Sequence, residues 1–298
     1  LTSLQKQVLV ERHLISREQA ARGEGSAAIV NRKQALCLMI NEEDHLRMQA
    51  IRPGLALSEA YELVSSIGTQ LESSLEFAFD HELGYLSACP TNLGTGMRAS
   101  AMLHLPGLVL SDQIAQVLQA VGKLQLAVRG FFGEGTESLG NLFQVSNQST
   151  LGESEETIIR RLERVIEQVV SHERNARLKL FEDDAEMVFD RVGRAYGTLR
   201  HAHIIASKEA LNLLSLLRLG AELEFFPPKT GGTCDSLLME IQPAHLQLHS
   251  GKKLTPEQRD AIRAEIIRTQ LQSLDPPVMN ERQEDEDRED PPDTIVDL

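Results

Sequence analysis

The sequence predicts an α+β fold in which an antiparallel sheet flanked by helices precedes a helical C-terminal region. Three observations carry that prediction. Between Gly84 and Phe143, short apolar or alternating runs are separated by glycines, the pattern of strands joined by turns. Beyond Ser154 the period becomes helical, with Ile158, Leu162, Val165, Ile166, Val169 and Val170 on one stripe. Finally, 298 residues at 41% hydrophobic and 25% charged supply core material for one large domain or two.

In chain order, residues 34–40 form an apolar run ending at Asn41, which suits a buried strand that delivers Glu42, Glu43 and Asp44 into a loop. Residues 58–79 read as an amphipathic helix, because Ala60, Leu63, Val64, Ile67, Leu71, Leu75 and Phe79 recur at helical spacings. Strands are expected at 85–89, 99–105, 124–132 and 141–146, with a helix at 111–121 among them. A long helix covers 154–180 and another 207–219. The last strong helix starts at Thr255, where Thr255 and Gln258 make a capping box and Pro256 takes the first helical position; it ends before Asp275. Residues 17–33 look like a compressed, Gly/Ala-rich loop. From Asp275 to Leu298 the chain holds ten acids, two arginines and four prolines, too little apolar surface to offset ordering entropy, so a disordered acidic tail is expected.

Composition narrows the function. No run approaches the roughly 18 apolar residues that span a bilayer. A net charge of -14 argues against bulk binding to nucleic acid or an anionic membrane. Cys37, Cys89 and Cys234 are too few and scattered for a disulfide framework or a CxxC metal site, which points to a reducing cytoplasm, with Cys37 and Cys234 as packing residues. The chain opens at Leu1 with no charged leader followed by an apolar run, so no secretory signal is expected, and residues are expected to be missing upstream. His201 and His203 lack further ligands nearby, and no metal site is expected.

Three clusters carry chemistry. Asn41-Glu42-Glu43-Asp44-His45-Leu46-Arg47 sets three carboxylates beside a histidine and an arginine at a strand end; by spacing alone this is a ligand site or a solvated acidic turn. Cys89-Pro-Thr-Asn-Leu-Gly-Thr-Gly-Met-Arg98 sets a cysteine before a turn, two glycines and an arginine; the cysteine is a thiolate held by a cation or a small buried hydrophobe. Arg129-Gly-Phe-Phe-Gly-Glu134-Gly pairs an arginine with a carboxylate after a strand, and without a Lys-Ser/Thr end it is no P-loop. Together they place Arg47, Arg98 and Arg129 with Glu43, Glu134 and Cys89 at the ends of successive strands, as when several loops build one pocket.

NEEDHLR and CPTNLGTG, in this order, resemble the signatures of the phosphagen (ATP:guanidino) kinases, which move the terminal phosphoryl group of ATP onto a guanidinium nitrogen. The resemblance is to the branch that phosphorylates arginine side chains in proteins. It runs from Leu9-Val-Glu-Arg-His13-Leu-Ile-Ser through RGFFGEGTESLGN, SNQSTLG and AYGTLRHAHIIASKEA to the last helix, about nine tenths of the chain. There Arg259-Asp260-Ala261-Ile262-Arg263-Ala264 matches the RDxxRA motif of phosphoarginine-binding proteins, with Arg259 and Arg263 a turn apart where a docked anion would relieve their repulsion.

The resemblance implies a glutamine-synthetase-like catalytic fold. It implies three segments: 1–33 as the remnant of an N-terminal region and linker, 34–274 as the catalytic domain with its phosphoarginine-binding helix, and 275–298 as the tail. Implied for ATP are His13, Arg47, Arg98, Ala99, Ser100, Ala101, Met102, Arg129, Gly130, Phe131, Phe132, Gly133 and Glu134, with Mg²⁺ held mainly by the phosphates. Glu43 is implied as the base and guanidinium clamp, Glu134 as its partner and the Cys89 thiolate as a third anionic contact. For phosphoarginine it implies Arg259, Asp260, Arg263 and Ala264. The partners implied are arginine-bearing proteins in a stress response, a zinc-finger activator, the Clp chaperone-protease system, a repressor and a second copy in a homodimer. Relatives carry an arginine-rich segment near their N-terminus that nothing here matches. Two rival readings stay open: a metabolite kinase acting on free arginine, and an inactive phosphoarginine-binding scaffold.

Overall fold

The computed structural model describes residues 1–130 and 138–279. Phe131, Phe132, Gly133 and Glu134, and the tail from 280 onward, lie outside the described residues.

The N-terminal part opens with α1 (Ser3–Glu11), whose first turn is closed by a Thr2–Gln5 capping box, and α2 (Arg17–Ala21), capped by the Ser16 hydroxyl. An antiparallel sheet follows in the order β1 (Ala27–Val30), β2 (Leu36–Ile40), β3 (Leu46–Ala50). The strand expected at 34–40 is β2, and its period of two buries Cys37 and Met39 beside Leu14 and Ile15. The segment 17–33, expected as a loop, instead supplies α2 and an edge strand. Arg47 stands on β3 and not in a loop, because the acidic segment is the turn of a β2–β3 hairpin.

Helix α3 (Leu57–Glu72) is shorter than the expected 58–79. The Ser73 hydroxyl donates to the Gln70 carbonyl at the helix end, and Leu75 and Phe79 leave the stripe for the surface. Phe79 begins a two-stranded hairpin, β4 (Phe79–Asp80) with β5 (Gly84–Tyr85), where Asp80 Oδ1 accepts from the Glu82 and Leu83 amides at 2.8 and 2.9 Å. The strand expected at 85–89 is therefore only its first residue.

A second three-stranded antiparallel sheet has the order β6 (Ser100–His104), β8 (Leu142–Asn147), β7 (Leu126–Gly130). Between β6 and β7 run α4 (Pro106–Leu110) and α5 (Ile114–Lys123), where one helix at 111–121 was expected. Register defines two faces. Leu103, Phe143, Val145 and Val128 join a cluster with Leu162, Val165, Ile166 and Val169 of α6 (Glu155–His201). The opposite face carries Ser100, Met102, Gln144, Ser146 and Arg129.

Helix α6 outruns the expected 154–180. It deviates at Asp184 (φ -158°, ψ 73°), whose carboxylate accepts from the Met187 amide at 2.9 Å and so caps the second half. The remainder is helical: α7 (Ser207–Glu222), α8 (Lys229–Glu240), α9 (Pro243–Ser250) and α10 (Pro256–Gln270), the last closed by the expected Thr255–Gln258 capping box. Their shared core includes Val192, Leu214, Leu217, Leu237 and Ile267. Helix α8 went unforeseen because Pro227, Pro228, Gly231 and Gly232 read as a turn. Among the described residues no helix is long and apolar enough to cross a membrane, and no three His, Cys, Asp or Glu gather to hold a metal.

Candidate functional site

At the β2–β3 turn, Asn41 adopts φ 55° and its amide donates to the His45 carbonyl at 3.0 Å, which turns the two adjacent glutamates opposite ways. Glu42 is 3% exposed. Its carboxylate accepts from the Ser16 hydroxyl, from the Glu43 amide at 2.6 Å and from Arg47 Nη1 at 3.1 Å. Burial alone would raise its pKa; the Ser16 and Glu43 hydrogen bonds and the Arg47 charge outweigh that and hold it below the usual carboxylate range. Glu43 points to solvent, with Oε2 accepting from the Asn92 amide at 3.2 Å.

The Cys89 loop is fastened to this turn. Asp44 accepts from the Ala88 amide at 2.6 Å, the Ser87 hydroxyl at 3.2 Å and the Asn92 amide at 3.3 Å. Cys89 is part-buried, its sulfur 3.0 Å from the Thr91 hydroxyl. Thr150 holds the loop from below: its hydroxyl donates to the carbonyls of Thr91 and Leu93, and its carbonyl accepts from the Thr95 amide at 2.8 Å. This approach is why position 94 is glycine. At φ +102° a Cβ there would lie well inside van der Waals contact with the Thr150 carbonyl. Cys89 and Glu43 thus stand on adjoining loops tied through Asn92 and Asp44.

On the polar face of the second sheet, Arg98 Nη2 donates to Ser146 Oγ at 3.3 Å and Ser100 Oγ accepts from Gln144 Nε2 at 3.0 Å. Arg129 shares the Met102–Gln144 row. Burial, and after it the fields of Arg129 and Arg47, draw the Arg98 pKa down, so these three guanidinium groups from three segments share one region. Among the described residues neither Arg98 nor Arg129 has a carboxylate partner. Such a cluster of like charges is a site for a polyanion. Not every residue of 98–102 faces it. Ala101 packs with Leu103 on the apolar cluster, whereas Met102 is exposed and the Ala99 amide donates to Asn147. His13, at φ 56° after α1, gives its carbonyl to the Gln49 amide, and burial lowers its pKa, so the ring is neutral at pH 7.

The α10 motif sits differently from the expected open pair of arginines. Arg263 is 1% exposed and donates to the carbonyls of Ile205 (2.9 Å) and Ile241 (3.2 Å) and to Asp260. Ala264 is buried with it, while Arg259, Asp260 and Ile262 are part-exposed and Ala261 is exposed. The charge of Arg263 is met from inside the fold by the Ile205 and Ile241 carbonyls and the Asp260 carboxylate.

Sequence reasoning missed Glu42, Asn92 and Thr150. Glu42 is indistinguishable by type from its neighbour, and Thr150 lies within SNQSTLG, far along the chain from the loop it supports.

The ATP:guanido phosphotransferase C-terminal catalytic domain matches residues 1–176, and the protein-arginine kinase McsB C-terminal domain matches 185–284. The protein-arginine kinase of Pelotomaculum thermopropionicum is 47% identical over 92% of this chain and 77% of its own length; that of Moorella thermoacetica is 50% identical over 91% and 77%. Among solved structures, the duplicated taurocyamine kinase of Schistosoma mansoni with transition-state analogue components aligns at TM-score 0.52 and 21% identity, covering 74% of this chain and 39% of its own, a likeness of fold.

Proposed function

We propose, from the premise that the chain belongs to the ATP:guanido phosphotransferases and within them to the protein-arginine kinases, a division of labour for moving the γ-phosphoryl of ATP onto protein arginine. The observation that carries it is the convergence of Arg47, Arg98 and Arg129 from separate segments, with Glu43 and Cys89 on the adjoining tied loops.

A transferring phosphoryl group spreads charge over three equatorial oxygens, so the catalyst chiefly positions two substrates and supplies cations. Arg98 and Arg129 grip the nucleotide phosphates from the sheet, and Arg47 joins them, held by Glu42. Met102 and the Ser100–Gln144 pair form the floor beneath the nucleotide. The donor set here is cationic, so Mg²⁺ would be held mainly by the nucleotide phosphates, where it would supply further positive charge.

The guanidinium delocalises its charge over three nitrogens and is a poor nucleophile until it loses a proton. Glu43, exposed and oriented by Asn92, takes that proton; the freed nitrogen lone pair forms the N–P bond as the γ-phosphorus–oxygen bond breaks and ADP leaves. Cys89 stands beside the guanidinium as a second contact. Glu134, the partner implied for Glu43, lies outside the described residues. The resemblance alone carries the rest of the proposal: a cytoplasmic stress-response role, a zinc-finger activator and Clp partner, a homodimer, and a phosphoarginine subsite that uses Arg259 and Asp260 with Arg263 behind them.

The test is one incubation with Mg²⁺-ATP, an unfolded arginine-containing protein and free arginine, read by mass spectrometry under neutral conditions that preserve the N–P bond. Phosphate appears on protein arginine and falls about 10² to 10⁴-fold in Glu43→Gln, the range for a general base, with a smaller loss in Cys89→Ala. Label confined to free arginine would replace the protein substrate with a metabolite. Equal losses in the two variants would overturn the roles given to Glu43 and Cys89.

A further inference from the structure

The molecule leaves a group of aromatic and aliphatic side chains in solvent. Phe79 is 54% exposed, and Leu75, Leu83 and Leu86 beside it are also exposed. The Phe79 and Phe77 rings meet Tyr85 edge to face at 5.2 and 6.1 Å, and Phe79 meets His81 in the same way at 5.9 Å. Phe77 and Tyr85 are part-buried and hold the exposed Phe79 ring in place. Clefts flank the ridge on both sides. One of 330 Å³ runs toward Thr150, Glu153 and Glu155; the other, of 610 Å³, runs toward Leu75, Glu72 and Glu76. Phe79 and Tyr85 line both.

The carboxylates that line the two clefts are Glu82, Glu153 and Glu155 in one and Glu72 and Glu76 in the other, of which Glu153 is paired with Arg161 at 2.7 Å. From Pro53 to Met97 the chain carries Glu59, Glu62, Glu72, Glu76, Asp80 and Glu82 and not one lysine or arginine. Glu72 accepts the Tyr85 hydroxyl proton at 2.7 Å, which fixes the ring and pushes its pKa up to about 12, so it stays a neutral phenol. Aromatic faces rimmed by carboxylates suit guanidinium and ammonium groups with apolar neighbours, through cation–π and ion-pair contacts.

The ridge is also held in register with the chemistry. The Tyr85 amide donates to the Gly94 carbonyl at 2.8 Å, and a Cβ on Gly84 would strike the Gly94 backbone, so hairpin and Cys89 loop touch through main chain. Three residues separate Tyr85 from Cys89, so their Cα atoms are four steps and at most roughly 13 Å of extended chain apart. A polypeptide with its target arginine at Glu43 and Cys89 would cross the hairpin within a few residues.

We propose that the β4–β5 hairpin and its two clefts are the docking surface for the polypeptide flanking the target arginine, and that it takes segments mixing basic and apolar residues. The proposal rests on the protein-kinase reading above and deepens it. A second copy of this chain is the rival occupant, and charge disfavours it: at -14 overall, the copy would bring its own acids to an acidic rim.

The experiment uses the full chain with Phe79→Ser/Glu82→Lys, two exposed positions whose exchange leaves the core untouched. Substrates are N-acetyl-arginine amide and two twelve-residue peptides with one central arginine, flanked by Lys and Leu in one and by Glu and Ser in the other. In the unaltered chain the Lys/Leu peptide is phosphorylated with the higher kcat/KM. The double variant lowers the ratio of its kcat/KM to that of N-acetyl-arginine amide about 10-fold, mostly through KM, the scale of one exposed aromatic contact plus one reversed charge. Fluorescence anisotropy with a labelled Lys/Leu peptide, its central arginine replaced by norleucine, reads docking without turnover and weakens in parallel. An unchanged ratio and unchanged anisotropy overturn the proposal, as does a variant that alters sedimentation but neither peptide readout, which would give the ridge to a second copy. If no substrate is phosphorylated by the unaltered chain, the kinase reading fails, while the anisotropy still decides the docking surface.

Discussion

Replacing Glu42 by glutamine separates a residue that builds the site from one that acts in it. The Glu42 carboxylate is 2% exposed, with Oε1 accepting from Ser16 and Arg47 and Oε2 from the Glu43 amide at 2.6 Å. Glutamine keeps one acceptor oxygen. If that oxygen stays with Arg47 and Ser16, the new amide faces the Glu43 N–H, donor against donor; if it flips, the amide faces a guanidinium, which is worse. The cheaper arrangement leaves a buried N–H unsatisfied, at about 1–3 kcal/mol. The Arg47 ion pair adds little, because that side chain is 46% exposed and screened by water. A loss of about 2 kcal/mol lowers Tm by about 4–8 °C for a chain of this size. The acid limb changes too. The folded Glu42 pKa lies below its unfolded value, so its stabilisation is present above the usual glutamate pKa and fades as pH falls through the folded value; the variant loses that slope. Glu43→Gln removes a solvent-facing carboxylate and shifts Tm within about 0.5 kcal/mol equivalent, while activity collapses. Thermal unfolding at pH 7 and pH 4 beside turnover measures all four quantities. An unchanged Tm in Glu42→Gln, or a drop in Glu43→Gln as large, would refute the reasoning.

Two further outcomes are expected. Gly94→Ala forces a Cβ onto the Thr150 carbonyl at φ +102°, so it destabilises by about 3 kcal/mol or more and displaces the Cys89 loop; calorimetry and turnover both fall, and a wild-type Tm would exclude this packing. Because burial, then the Arg218 and Arg177 charges, push the His104 pKa well below its ordinary value, the unfolded chain binds the extra proton; stability rises with pH up to about 6.5 and is lost below it, and His104→Gln flattens that window in urea titrations from pH 5 to 7.5.

Legibility in the sequence followed how local the cause was. The Thr255–Gln258 cap and the β2 run were readable because their determinants lie within a few residues. Strand β1 was not, since an edge strand of four residues, two exposed and two part-buried, has little pattern until β2 pairs with it. The end of α3 was misplaced because Leu75 and Phe79 continue the helical stripe while being used for the exposed ridge. In the site, Arg98 and Arg129 were named by motif, yet their shared field comes from strand order, with β8 between β6 and β7. Arg263 looked like surface charge; the carbonyls of Ile205 and Ile241 that engulf it are 58 and 22 residues away.

The two matched segments, 1–176 and 185–284, part within α6 next to the Asp184 deviation, yet polar contacts join them elsewhere in the fold. Strand β6 places Ser100 and Met102 on the polar face of its sheet and ends at His104, whose ring is gripped by α7. Arg218 Nη1 is always a donor, so its 3.2 Å contact makes His104 Nδ1 an acceptor and leaves the proton on Nε2, which donates to Ser215 Oγ at 2.7 Å. That tautomer is neutral, in accord with the lowered pKa. Arg218 also pairs with Asp235 of α8 and with Glu222, and Glu222 pairs with Arg177, which reaches the His104 carbonyl at 3.2 Å and Glu173. Glu173 in turn takes the Gly107 and Leu108 amides at 2.8 and 2.9 Å at the start of α4. Glu173 and Arg177 are nearly buried, so removing either strands the other's charge at a cost of several kcal/mol, whereas Asp235 and Glu222 are open to water and their pairs contribute little. Helices α7 and α8 thus reach strand β6 through Ser215, Arg218 and Asp235, while the Arg177 and Glu173 branch of the same network stands on α6.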